Sequence, residues 1–142
     1  MRGNEPILLV EDDEVDVMTL RRAVKDLNIT NPLQVASDGL EALSYLRNPH
    51  NAKPCVILLD LKMPRMDGFA VLQEIKKDVD LKGLPVIVLT GSDDRADKLA
   101  SFNLSAAGYV QKPVDYLQLL EAIRTIKLYW TLSEQPPPDE SM

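Results

Sequence analysis

Short apolar runs alternate along this chain with segments that are apolar on one side only. Ile7–Val10, Cys55–Leu59 and Val86–Leu89 are unbroken apolar stretches. Runs that lack polar alternation predict strands buried on both faces of a parallel sheet. Leu33–Ala36 and Gly108–Gln111 are weaker candidates that complete a set of five. Helical periodicity fills the gaps. Val17, Leu20, Val24 and Leu27 recur at spacings of three and four, which places them on one helical face. Asp38 is placed to cap a second helix carrying Leu40, Leu43 and Leu46, and Asp67 a third carrying Phe69, Leu72 and Ile75. A fourth segment, around Arg95–Phe102, carries Ala96, Leu99 and Ala100. The last runs from about Val114 to Leu132, with Leu119, Leu120, Ile123 and Ile126 or Lys127 in its stripe.

Strand and helix therefore alternate five times, which predicts right-handed crossovers and an open, doubly wound α/β sheet with helices on both faces. The length, 142 residues, points to one domain. We expect that domain over 1–132, followed over 133–142 by a disordered tail containing Pro136, Pro137 and Pro138 and acidic residues. Aromatic residues make up only 5% of the chain, so the core must be aliphatic.

Charge narrows the function. A net charge of -6 and a pI near 4.7 argue against non-specific nucleic-acid binding and against docking on an anionic membrane. The single cysteine, Cys55, allows no internal disulfide and reads as a small buried thiol in a reducing compartment. No leader-like segment or membrane span is legible, so a cytoplasmic protein is expected.

In open α/β sheets, ligands bind beyond the carboxyl ends of the strands. Those ends carry Glu11, Asp12 and Asp13 after the first strand and Asp60 after the third. Thr90, Gly91 and Ser92 follow the fourth strand, and Lys112 and Pro113 the fifth. Carboxylates from two strand ends would converge in one crevice and repel unless a cation lies between them. Hard oxygen donors with room for water suit Mg²⁺. A lysine and a threonine hydroxyl nearby are groups that hold phosphoryl oxygens. Several of these residues have plainer readings. Asp13 and Glu14 read better as helix caps and dipole partners. Thr90 alone could begin a turn, and Lys112 alone could be a solvated lysine. Asp60 has no packing reason to end an apolar strand. The combination at successive strand ends assigns all four positions, Asp12, Asp60, Thr90 and Lys112, to one site.

The stretches Leu9-Val10-Glu11-Asp12, Leu58–Gly68, Val88-Leu89-Thr90-Gly91 and Gly108–Pro113 resemble bacterial response-regulator receiver domains, over roughly Pro6 to Leu132. The resemblance implies the flavodoxin-like strand order 2-1-3-4-5 with five helices. It implies that Asp60 accepts a phosphoryl group, that Asp12 ligates Mg²⁺ directly and Glu11 through water, and that Lys62 offers its backbone carbonyl. Thr90 would bond the phosphoryl group and Lys112 would pair with it, across a cis bond to Pro113. Tyr109 matches the aromatic that turns inward when the threonine moves. Lys62 and Ser92 occupy positions that tune hydrolysis of the acyl phosphate. Such a domain is not an enzyme in the ordinary sense, since it catalyses its own phosphorylation and dephosphorylation. Its donor would be a sensor histidine kinase or a histidine phosphotransfer protein. With only a tail after the last helix, output would pass through protein contacts, or the phosphoryl group would move on to another histidine.

A long loop holding His50 before the third strand, and the apolar Leu117, Leu128, Tyr129 and Trp130 outside the last helix's core stripe, are similar to regulators paired with phytochrome-type kinases. That likeness implies a homodimer through the face made by the fourth helix, fifth strand and last helix. His50 by itself reads as a solvated loop residue, and Trp130 could equally cover its own domain. Three other functions fit less well. An aspartyl-phosphate hydrolase of the haloacid dehalogenase type wants an Asp where Lys62 stands. A flavodoxin-like cofactor binder wants a Ser/Thr/Gly-rich loop where Glu11, Asp12 and Asp13 stand. A scaffold working without phosphorylation has no need of Asp12, Asp60, Thr90 and Lys112 together.

Overall fold

The computed structural model describes residues 5–61, 63, 65–91, 100, 103–104, 106–112 and 115–132, with the side chains of Thr90 and of 129–132 outside that description. Nine elements follow in order: β1 (Ile7–Val10), α1 (Glu14–Asp26), β2 (Leu33–Ala36), α2 (Gly39–Arg47), β3 (Val56–Leu59), α3 (Gly68–Lys77), β4 (Val86–Thr90), β5 (Gly108–Gln111) and α4 (Tyr116–Leu132). The strands form one sheet in the order β2-β1-β3-β4-β5, with every neighbouring pair parallel. The described residues thus contain four helices where five were expected. The expected helix over 95–102 falls almost wholly outside the description. Of it only Ala100 is described, and its carbonyl accepts the Leu104 N–H at 3.0 Å. Among the described residues no helix is long and apolar enough to cross a membrane.

The central strands are apolar on both faces because both faces are covered. On β1, Leu8 and Val10 join a core cluster with Leu43 and Leu46 of α2 and Val71, Leu72 and Ile75 of α3. Ile7 and Leu9 join the opposite cluster with Leu20, Ala23 and Val24 of α1 and Leu119, Ile123 and Ile126 of α4. β3 lies in the middle of the sheet, and its Val56–Leu59 are all buried. Each such aliphatic side chain contributes about 1.5–3 kcal/mol by leaving water.

Helix starts follow the expected caps. Asp13, Asp38 and Asp67 each accept backbone N–H groups from the first turns of α1, α2 and α3. Three expectations need correcting. β3 begins at Val56, with Cys55 a buried lead-in whose N–H donates to the Pro6 carbonyl at 2.9 Å. α4 begins at Tyr116 because the Asp115 carboxylate accepts the Gln118 N–H at 2.9 Å, as a cap does. Leu40 is 53% exposed and lies outside the α2 core stripe. Two successive steps of three residues rotate a side chain by about 120° around the helix axis, which sets Leu40 at the margin of the stripe defined by Leu43 and Leu46.

Candidate functional site

The β1 and β3 ladders continue one residue past their strands. Glu11 N–H donates to the Ala36 carbonyl at 2.9 Å and Asp60 N–H to the Val10 carbonyl at 3.0 Å. Glu11 and Asp60 are thereby held side by side at adjacent strand ends. Both are buried, at 3% and 6% exposure, while the next residue, Asp12, is exposed. Carboxylate oxygens of Glu11, Asp12 and Asp60 all lie within 4.8 Å of one another.

Lys112 approaches from the other side. β5 pairs with β4 so that Gln111 lies level with Thr90, and Lys112 follows directly. Its Nζ donates to Glu11 Oε1 at 2.5 Å, Asp16 Oδ2 at 2.6 Å and Asp60 Oδ2 at 3.4 Å. Burial alone would pull the lysine's pKa down, but the hydrogen bonds to Asp16 and Glu11 and the charge of Asp60 hold it above its ordinary value. Glu11 moves the other way from a usual acid. Burial pushes it up to about 7, with Lys112 opposing and the Asp60 charge adding to the rise. Its second oxygen accepts the Asp13 N–H at 3.2 Å.

The loop after Asp60 is tied down locally. Gly68 N–H donates to the Leu61 carbonyl at 3.1 Å. Arg65 takes a left-handed backbone, φ 64°, and its guanidinium donates to the buried carboxylate of Asp38 at the start of α2.

The expected site residues divide into four groups. Glu11, Asp12, Asp60 and Lys112 converge. The Thr90 backbone closes β4 beside them, its side chain lying outside the description. Lys62, Ser92 and Pro113 lie outside the described residues. Tyr109 is half-buried on β5, level with Val88, and packs on the α2–α3 side of the sheet. His50 is exposed in its loop, as expected, and Cys55 is a buried free thiol. Asp16 and Arg65 were not singled out from the sequence. Asp16 reads there as one more acid in a first helical turn, and nothing local ties it to a lysine 96 residues away.

Three oxygen-donor acids gathered about Lys112 suit a hard divalent cation, whose arrival would relieve their repulsion. A model of the response regulator receiver domain matches residues 7–124. Response regulator Rcp1 of Synechocystis sp. is 37% identical over 128 residues, covering 87% of each chain. The solved structure of the phosphorylated cyanobacterial phytochrome response regulator RcpA superposes with a TM-score of 0.85 at 34% identity, covering 95% of this chain and 99% of RcpA. The Mn²⁺-bound form of Rcp1 does so with a TM-score of 0.83 at 35% identity, covering 94% and 99%. Sheet order, acid cluster and likenesses agree: the chain belongs to the response regulator receiver domain family of two-component signalling systems.

Proposed function

We propose that Asp60 is the phosphoacceptor of this response regulator. The observation that carries the reading is its placement: a buried carboxylate at the end of the central strand, beside Glu11 and Asp12 and within reach of the Lys112 ammonium. The donor is a phosphohistidine of a sensor histidine kinase or of a histidine phosphotransfer protein. An Asp60 carboxylate oxygen bonds phosphorus as the P–N bond breaks, and the imidazole nitrogen keeps that electron pair and takes up a proton. Lys112 offsets charge on the phosphoryl oxygens, and the rigid sheet supplies the alignment. Mg²⁺, when bound, supplies further positive charge at those oxygens; Glu11, Asp12 and Asp60 would hold it, together with the Lys62 carbonyl. Water later attacks phosphorus and returns the carboxylate and inorganic phosphate, at a rate tuned by Lys62 and Ser92. The hydroxyl of Thr90 bonds the phosphoryl group, and Tyr109 follows it inward, so the β4–β5 edge reports the state of Asp60. The protein works in the cytoplasm, and its likeness to Rcp1 and RcpA favours a phytochrome-type kinase as partner.

Incubation with acetyl phosphate and Mg²⁺ tests the reading. Wild type is expected to take up phosphate to near one equivalent and Asp60→Asn none. Stoichiometric labelling of Asp60→Asn would remove the assignment. Absence of Mg²⁺-dependent beryllofluoride binding by wild type would favour a scaffold that works without phosphorylation.

A homodimer is a second element of the proposal, supported by α4. Leu117 and Leu128 are 76% and 55% exposed. With Glu121 and Arg124, paired at 3.0 Å, they fall at i, i+4, i+7 and i+11 on one exposed helical face. The stripe is its own complement. An antiparallel second copy would set Leu117 against Leu128 and Glu121 against Arg124 at both ends of a two-fold contact.

A further inference from the structure

Lys112 carries one acid more than pairing with a phosphoryl group on Asp60 requires. Its ammonium has three N–H donors, and the oxygens they meet are not equivalent. Glu11 and Asp16 are held at 2.5 and 2.6 Å, whereas Asp60 is at 3.4 Å. The two short contacts draw the ammonium toward Glu11 and Asp16 and leave Asp60 its longest partner. Asp16 is itself fixed by the helix that carries it, since its N–H donates to the capping Asp13 carboxylate at 3.2 Å.

We propose that Asp16 is a positioning residue that competes with the Asp60 site for Lys112, parking the ammonium in the unphosphorylated protein and yielding it when a phosphoryl group arrives. The inference rests on the reading of Asp60 as phosphoacceptor and deepens it.

Exposure decides which of the three acids lets go. The Asp16 side chain is 40% exposed, against 3% for Glu11 and 8% for Asp60. Asp16 can return to water at little cost, whereas Glu11 is too buried for water to take the lysine's place. A doubly charged phosphoryl group therefore draws the ammonium off Asp16 and leaves the Glu11 bond in place. A cavity of about 70 Å³ adjoins Lys112 on the Glu11 and Asp16 side, lined also by Leu9, Leu89 and Leu119, so close packing does not hold the side chain there. Ion pairs rather than close packing thus set where the ammonium rests.

Beryllofluoride titration at saturating Mg²⁺ tests this in four proteins: wild type, Asp16→Asn, Lys112→Ala and the double variant. Asp16→Asn is expected to bind beryllofluoride about two- to fivefold more tightly, the scale of a half-exposed ion pair. Asp16→Glu should restore wild-type affinity, and Asp16→Asn should change nothing once Lys112 is absent. Unchanged or weaker binding by Asp16→Asn would overturn the proposal. So would an equal gain in the Lys112→Ala background, which would mean a general charge effect. Wild type that binds no beryllofluoride would instead remove the phosphoacceptor reading beneath it. Should Lys112→Ala fail to fold, the ¹⁵Nζ resonance of Lys112 gives an independent answer. It should shift on Asp16→Asn substitution without any phosphodonor, and an unmoved resonance would overturn the proposal.

Discussion

Asp38 gives each carboxylate oxygen to a different element. Oδ1 accepts the Glu41 N–H at 2.9 Å as the cap of α2, and Oδ2 takes the Arg65 guanidinium from the loop after Asp60. The backbone hydrogen bond from Glu41, and then the Arg65 pair, hold its pKa below the ordinary value. A carboxyl with a depressed folded pKa contributes stability that is fully present above its unfolded value, about 3.9, and lost as pH falls through the folded one. Asp38→Asn keeps a good cap but removes the charge. Urea midpoints should therefore be lower for Asp38→Asn than for wild type at neutral pH, with the gap closing below about pH 4. A gap independent of pH would mean that the Asp38 charge contributes nothing, through either Glu41 or Arg65. Residues such as Asp38 and Asp60 announce themselves in sequence because turns and strand ends restrict what can stand there. Asp16 and Arg65 do not, because the partners that give them meaning are remote in the chain.

At the scale of elements, the join between β3 and α3 places the acceptor. A Cβ on Gly68 would strike the Asp60 carbonyl and lie 2.7 Å from Leu61 Cα, so backbone, not a flexible side chain, would have to move. Gly68→Ala is expected to cost about 1–3 kcal/mol in chemical unfolding and to slow acetyl-phosphate labelling of Asp60. Unchanged stability together with an unchanged labelling rate would show that the loop relaxes freely. Strand positions were legible to within a residue because full burial demands unbroken apolar runs. Helix ends were legible where an Asp caps them. The α4 start slipped by two residues because periodicity was followed past a cap, Asp115, that the pattern does not mark. The misplacement of Leu40 has the same character: spacing by threes mimics a stripe over one turn and drifts off it over two.

For the whole molecule, the stripe on α4 predicts assembly. Sedimentation velocity over rising concentration should show the 15.9 kDa chain moving toward a dimer, and Leu128→Asp should hold it monomeric with its fold intact. A wild type that stays monomeric throughout would remove the dimer.

The alternation of apolar runs and amphipathic segments determined the α/β class, the strands and the acids at their ends, because burial on two faces leaves a mark in every strand. Which strands are neighbours is another matter. β1 sits between β2 and β3 rather than at an edge, and this order brings Glu11 beside Asp60. It came from likeness to relatives, since no local pattern encodes it. The tertiary structure alone decided that Lys112 reaches Asp16 more closely than Asp60, and that Arg65 closes onto Asp38. Those contacts depend on the separation and tilt of whole elements, which are set by the packing of two cores and not by the residues nearest in the chain.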